Sequence, residues 1–171
     1  MNEKLKNIKL LLLDVDGVMT DGGIIYDGNG LETKVFNVKD GHGIKMLQRH
    51  GIEVGIITGR TSRVVEIRAA ELGIGIVYQG ALRKLDSYQD VKLKTGLSDS
   101  QIAYVGDDVI DVPVMKRVAF SAAPADALPE ALSVADYVTS KGGGKGAVRE
   151  VCDLILKGCG FWDEVASRYE L

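Results

Sequence analysis

Short runs rich in Ile, Val and Leu recur along the 171 residues at 8–13, 54–57, 76–78, 102–105 and 136–138, and no other feature restricts the fold so tightly. A strand with water on one face alternates apolar and polar residues. Runs that stay apolar suit strands covered on both faces, as in a parallel sheet packed between helices. The stretches between them carry helical spacing: "GIKMLQRHG" (43–51), "SRVVEIRAAELG" (62–73) and "LDSYQDVKLKTG" (85–96) read as amphipathic helices closed by glycine. This alternation predicts an α/β fold with a doubly wound, mainly parallel, Rossmann-like sheet. Hydrophobic content of 46% and only three prolines fit one domain over 1–171 with a core large enough to stand without disulfides or structural metals.

One segment breaks the rhythm. "GGIIYDGNGLETKVFNV" (22–38) holds two β-type runs around Asp27-Gly28-Asn29-Gly30, a turn-rich linker that predicts a β-hairpin flap. A solvated decoration and a functional flap both fit the pattern, but so apolar a hairpin calls for a cover, and a neighbouring subunit supplies one. The glycine-rich "KGGGKG" (141–146) is too short to link domains and opens a C-terminal segment, 141–171. Its tail, "GFWDEVASRYEL", with Phe161, Trp162 and Tyr169, reads as an amphipathic helix that docks on the body of the protein.

A formal net charge of −3 provides no basic excess for nucleic acid or an anionic membrane. The apolar run before Asp14 is too short for a signal sequence or a membrane span, so a cytoplasmic protein is expected. Cys152 and Cys159 lie seven positions apart, on one face of a helix, where an unstrained bridge cannot form; they read as ordinary buried thiols.

The chemistry is written where the runs stop. "LLLDVDG" (11–17) ends on Asp14 and Asp16, which share a side of the extended chain, and Gly17 then allows a sharp turn. In an open α/β sheet, ligands bind beyond the carboxyl ends of the strands. A lone D-x-D is equally a helix cap or a turn. "IAYVGDDVID" (102–111) adds a second strand end with Asp107, Asp108 and Asp111, and clustered carboxylates make a hard oxygen site suited to Mg²⁺. Without a cation the like charges would raise their own pKa values. A third run, "VGIITGR" (54–60), ends on Thr58, Gly59 and Arg60, which is either an anion site at a helix start or a simple N-cap. Lys84, after the 76–78 run, can bring an ammonium to the same rim.

Taken in order, Asp14-Val15-Asp16-Gly17, Thr58-Gly59-Arg60, Lys84 and Gly106-Asp107-Asp108-Val109-Ile110-Asp111 resemble the four motifs of the haloacid dehalogenase superfamily. The pattern is similar to the cap-less branch that includes phosphatases of 3-deoxy-D-manno-octulosonate 8-phosphate. "DVDGVMTDG", "KVFNVKDGHGIKML", "IITGRTS", "VYQG", "YVGDDVIDVPVM" and "GGGKGAVREVCDLIL" carry that likeness over nearly the whole chain.

The resemblance implies a Mg²⁺-dependent phosphomonoesterase in lipopolysaccharide precursor synthesis. Asp14 would be the nucleophile that forms an aspartyl-phosphate, and Asp16 the general acid and base. Mg²⁺ would be held by the carboxylates of Asp14 and Asp107 and the carbonyl of Asp16, with Asp108 or Asp111 in support. Thr58 and Lys84 would take the phosphoryl oxygens. No long insertion separates the motifs, so no cap domain closes the site, and selectivity falls to the flap or to another chain. The branch assembles as a homotetramer through its hairpin. Arg60, Arg63, Arg68 and Arg149 are candidates for a sugar-acid carboxylate, each weighed against an ordinary exposed helix charge, and Arg60 beside Thr58 stands out. His42 is assigned no acid or base role, because carboxylates fill both. The same likeness leaves open a nine-carbon sialic-type acid 9-phosphate as substrate, and a non-catalytic assembly module of the same fold.

Overall fold

The computed structural model describes residues 2–170. A six-stranded, wholly parallel sheet forms its middle layer, in the order β5-β4-β1-β6-β7-β8. Its strands are β1 (Leu10–Leu13), β4 (Glu53–Ile57), β5 (Ile76–Tyr78), β6 (Ile102–Val105), β7 (Phe120–Ala123) and β8 (Tyr137–Val138). The chain runs from β1 outward through β4 to β5, then returns to the other side of β1 for β6, β7 and β8. The order therefore reverses at β1, and the carboxyl end of that strand opens into a crevice.

The four leucines of β1 show why the run is apolar on every residue. Leu11 and Leu13 face a core built with α2 (Val38–Arg49), α3 (Arg63–Leu72) and α7 (Ala147–Gly158). Leu10 and Leu12 face the opposite core, built with α4 (Lys84–Thr95), α5 (Val112–Met115) and α6 (Pro129–Leu132). Side chains alternate across a strand, so a central strand with helices on both faces buries all of them. A short α1 (Asn2–Leu5) precedes the sheet and α8 (Trp162–Tyr169) ends the described chain, with Val165 buried against the first core. No helix among the described residues is long and apolar enough to cross a membrane.

Three elements differ from the sequence reading. β7, "FSAA", lacks the Ile/Val signature, yet its four residues are fully buried between β6 and β8. α2 begins at Val38, well before 43, because the Asn37 side chain accepts a hydrogen bond from Lys39 N at 2.8 Å and caps it. Gly41 and Gly43 are buried in that helix. The flap is a smaller ladder than expected: β2 (Ile25–Tyr26) pairs antiparallel with β3 (Glu32–Thr33), Ile25 opposite Thr33. Asp27 closes its turn by accepting from Asn29 N and Leu31 N at 2.9 and 2.8 Å. Both cysteines are free; Cys152 is buried in α7, and the Cys159 thiol donates to the Leu5 carbonyl at 3.0 Å.

Candidate active site

A cleft of about 160 Å³ lies at the carboxyl ends of β1, β4 and β6, lined by Asp14, Asp16, Thr58, Gly59, Arg60, Asp107, Asp108 and Ile110. Asp14 continues the ladder beyond β1, its N–H donating to Val105 O at 3.0 Å. The chain then turns at once: the N–H groups of Val18, Met19 and Thr20 all converge on the Val15 carbonyl. Gly17 makes that turn with φ +89°, and a Cβ there would fall 2.0 Å from Asp107 Oδ2. Only glycine lets the two acidic strand ends come so close.

Lys84, the first residue of α4, is buried behind the acids. Its Nζ lies 2.8 Å from Asp14 Oδ2 and 2.6 Å from Asp111 Oδ1. Burial alone would lower its pKa, but the two carboxylates outweigh that and hold the ammonium above its usual range. Lys84 is thus set to fix Asp14, its side chain enclosed beside the acids that line the cleft. Thr58 keeps its place there, anchored by Thr58 N to Tyr78 O at 2.9 Å and Ala81 N to Thr58 O at 3.0 Å.

The expected metal ligands divide. Carboxylate oxygens of Asp14, Asp107 and Asp111 lie within 4.8 Å of one another. Asp14 Oδ1 and Asp107 Oδ1 are buried without a hydrogen-bond partner among the described residues. Burial, with the neighbouring carboxylates, pushes Asp107 up to about 8; burial likewise lifts Asp14 to about 6 against the pull of Lys84. Unpartnered, crowded carboxylate oxygens of this kind suit a hard divalent cation. Asp111, offered in support of the metal, has both oxygens engaged within the protein: Oδ1 takes Lys84 and the Tyr104 hydroxyl, and Oδ2 accepts the N–H groups of Asp107 and Asp108, both at 3.2 Å. With both oxygens engaged it serves as a brace. Asp108 stands at the cleft but turns its Oδ1 to Val109 N.

Of the four arginines, only Arg60 reaches the cleft. There Nη2 donates to the Tyr26 hydroxyl at 2.8 Å and to Glu32 Oε1 at 3.0 Å, tying the hairpin to the rim. Arg63 points to solvent and pairs with Glu66. Arg68 lies over the Phe36 ring and pairs with Glu71. Arg149 is committed to α7, its Nε on Asp153. None of these three lines the cleft, because helical phase turns them elsewhere. His42 stands 2.9 Å from the Tyr169 hydroxyl, between α2 and α8, away from the acids.

Two participants were missed. Tyr104 reads as strand filler, yet its hydroxyl braces Asp111. Lys34 reads as an edge residue of the flap, yet it is buried and ion-paired with Asp16 and Glu32. The i, i+2 pair Glu32 and Lys34, sharing one face of an extended segment, was the available signal.

A parallel sheet whose order reverses at an acid-tipped strand, with a second acidic strand end and a buried lysine facing it, defines a haloacid dehalogenase-like hydrolase. The model of that family matches residues 73–150. The 3-deoxy-D-manno-octulosonate 8-phosphate phosphatase KdsC of Escherichia coli K12 is 53% identical over 165 residues, covering 96% of this chain and 88% of the relative. The structure of 3-deoxy-D-manno-octulosonate 8-phosphate phosphatase from Yersinia pestis superposes with a TM-score of 0.93 at 49% identity, over 95% of this chain and 88% of that one. The Moraxella catarrhalis phosphatase, solved in complex with magnesium ion, phosphate ion and KDO, gives a TM-score of 0.96 at 43% identity, over 98% and 97%. The chain belongs to this family of 3-deoxy-D-manno-octulosonate 8-phosphate phosphatases.

Proposed function

We propose that the protein is a Mg²⁺-dependent phosphomonoesterase that hydrolyses 3-deoxy-D-manno-octulosonate 8-phosphate to the free sugar acid and phosphate, in the synthesis of a lipopolysaccharide precursor. The observation that carries the chemistry is Asp14: Oδ2 is held by Lys84 at 2.8 Å while Oδ1 has no partner among the described residues. The identity of the substrate is supported by the relatives' 53% sequence identity and by the Moraxella complex.

Asp14 attacks phosphorus to give an aspartyl-phosphate, and Asp16 protonates the sugar oxygen as its bond to phosphorus breaks. A water then attacks the same phosphorus, its proton returns to Asp16, and Asp14 is regenerated. Lys84 orients Asp14 and offsets its charge; Asp111, braced by Tyr104, keeps Lys84 in place. Thr58 and the backbone N–H groups beside it take phosphoryl oxygens. Mg²⁺, held by Asp14, Asp107 and the main-chain carbonyl of Asp16, supplies charge neutralisation to the phosphoryl group.

The apolar side chains left exposed on and beside the hairpin, Ile24, Ile25, Tyr26, Leu31 and Val35, support assembly as a homotetramer through that element. Two unpaired thiols suit a reducing, cytoplasmic compartment.

The test is phosphate release from a panel of eight-carbon and nine-carbon sugar-acid phosphates, simple sugar phosphates and a phosphopeptide, with and without Mg²⁺. We expect Mg²⁺-dependent turnover with preference for the eight-carbon acid, and a loss of about 10³-fold or more in D14N. Preference for the nine-carbon acid would refute the substrate assignment. Unchanged turnover in a folded D14N protein would refute the aspartyl-phosphate.

A further inference from the structure

The hairpin delivers a buried lysine to the catalytic rim. The Lys34 side chain, just past β3, is almost fully enclosed, and a desolvated ammonium is costly unless opposite charges meet it. Two do: Nζ bonds Asp16 Oδ1 and lies 3.3 Å from Glu32 Oε1. Glu32 accepts in turn from the Ser62 hydroxyl and from Arg60. Ser62 is the N-cap residue of α3, and its N–H donates to Gln79 Oε1 at 2.7 Å. A continuous path of ion pairs and hydrogen bonds therefore runs from the start of α3 through the hairpin to Asp16. On the other side, Asp16 stands on a turn, half-buried, and Lys34 is its one side-chain partner among the described residues.

We propose that Lys34 is a positioning residue for proton transfer, holding the Asp16 carboxyl in the orientation from which it serves the leaving oxygen. This rests on the phosphatase reading above. With Oδ1 taken by Lys34, the proton travels on Oδ2. It passes to the ester oxygen as the bond between that oxygen and phosphorus breaks, and Oδ2 recovers a proton from water as the water oxygen bonds phosphorus and the aspartyl-phosphate bond breaks. The ammonium donates hydrogen bonds throughout and keeps its protons. The hairpin is then part of the catalytic machinery as well as an apolar surface, and its anchorage to α3 through Glu32 sets the stiffness of the arrangement.

Leaving-group dependence separates this role from a merely structural one. A sugar alkoxide needs a proton to depart, whereas p-nitrophenolate leaves without one. Turnover is measured in Mg²⁺ for wild type, Lys34→Met, Lys34→Arg and Asp16→Asn on 3-deoxy-D-manno-octulosonate 8-phosphate and on p-nitrophenyl phosphate. We expect Lys34→Met to lower kcat on the sugar phosphate by about 10²-fold and on p-nitrophenyl phosphate by less than about 10-fold, with KM for both within about threefold. Asp16→Asn should show the same split, and Lys34→Arg should recover most of kcat on the sugar phosphate. Equal losses on both substrates, or a change confined to KM, would overturn the proposal. If Lys34→Met does not melt cooperatively, Glu32→Gln carries the test, with a smaller split of the same sign expected and equal losses counting against it. An inactive wild-type protein would remove the phosphatase reading itself; an active one with no split removes only the role of Lys34.

Discussion

Asp111 never reaches the cleft with a free oxygen, yet much of the rim depends on it. It joins Tyr104 on β6, Lys84 on α4 and the backbone of the 106–108 turn, so a change at any of these moves Asp14. Tyr104→Phe removes one buried donor and leaves Asp111 less well held; we expect a cost of ~1–2 kcal/mol in urea unfolding and about a tenfold lower kcat. Asp107 and Asp14 make a pH prediction with a definite sign. Both have pKa values raised by burial, to about 8 and about 6, so the folded metal-free chain binds protons that the unfolded chain releases. Stability is then highest at low pH, within this pair's contribution, and is lost as pH rises from the ordinary carboxylate range toward 8. The melting temperature of the metal-free protein should fall across that window, less steeply in Asp107→Asn, and Mg²⁺ should flatten the fall. A melting temperature that rises with pH there in wild type and Asp107→Asn alike would contradict this. At this scale the acids were legible because they sit at the ends of apolar runs, and Lys84 through its place in the set of motifs that resembles the superfamily. Tyr104 and Lys34 were not: Tyr104 sits inside an apolar strand run, and nothing local to Lys34 marks Asp16, 18 residues earlier, as its partner.

Between elements, α7 is capped from outside. Its own N-cap is Gly146, with no side chain to offer, and the buried carboxylate of Asp40 on α2 supplies the acceptor instead, to Arg149 N at 2.8 Å. Burial raises the pKa of Asp40. Asp40→Ala should cost ~1–2 kcal/mol in chemical denaturation, and Asp40→Asn, which keeps the acceptor without the charge, clearly less. Equal costs would show that the charge and not the cap matters. The 142–144 glycines form a second junction. Gly144 N donates to Val18 O at 3.0 Å, and a Cβ on Gly143 would lie 1.9 Å from the Gly17 carbonyl oxygen. Gly143→Ala must therefore shift the turn that follows Asp16, and we expect a loss of ~1–3 kcal/mol together with reduced turnover. The stretch "KGGGKG" is visible in the sequence as a glycine cluster, but nothing local reveals that it packs on the turn after Asp16.

For the whole molecule, the sheet order and the exposed hairpin set the remaining expectation. On the proposed tetramer, replacing both Ile25 and Leu31 by lysine should shift sedimentation toward smaller species, because each removes apolar area that a second copy would cover. An unchanged tetramer would place the interface elsewhere. The reversal of strand order at β1 also explains why Asp14, the proposed nucleophile, stands between two anchoring regions: β4 brings Thr58 from one side and β6 brings Asp107 and Asp111 from the other.

The sequence alone determined the layered α/β architecture, most of the strands and helices, and the acids that end β1 and β6. Burial on both faces leaves a purely local mark, a run with no polar interruption, and the acids at strand ends inherit that address. β7 escaped because "FSAA" is buried by its position between neighbours, with no apolar run of its own. Only the tertiary structure decided which cation meets which acid. It set Lys84 between Asp14 and Asp111, brought Lys34 across the hairpin to Asp16, and turned Arg63, Arg68 and Arg149 away from the cleft. Charge pairing inside a protein depends on distances between segments tens of residues apart, and those distances exist only once the sheet has assembled.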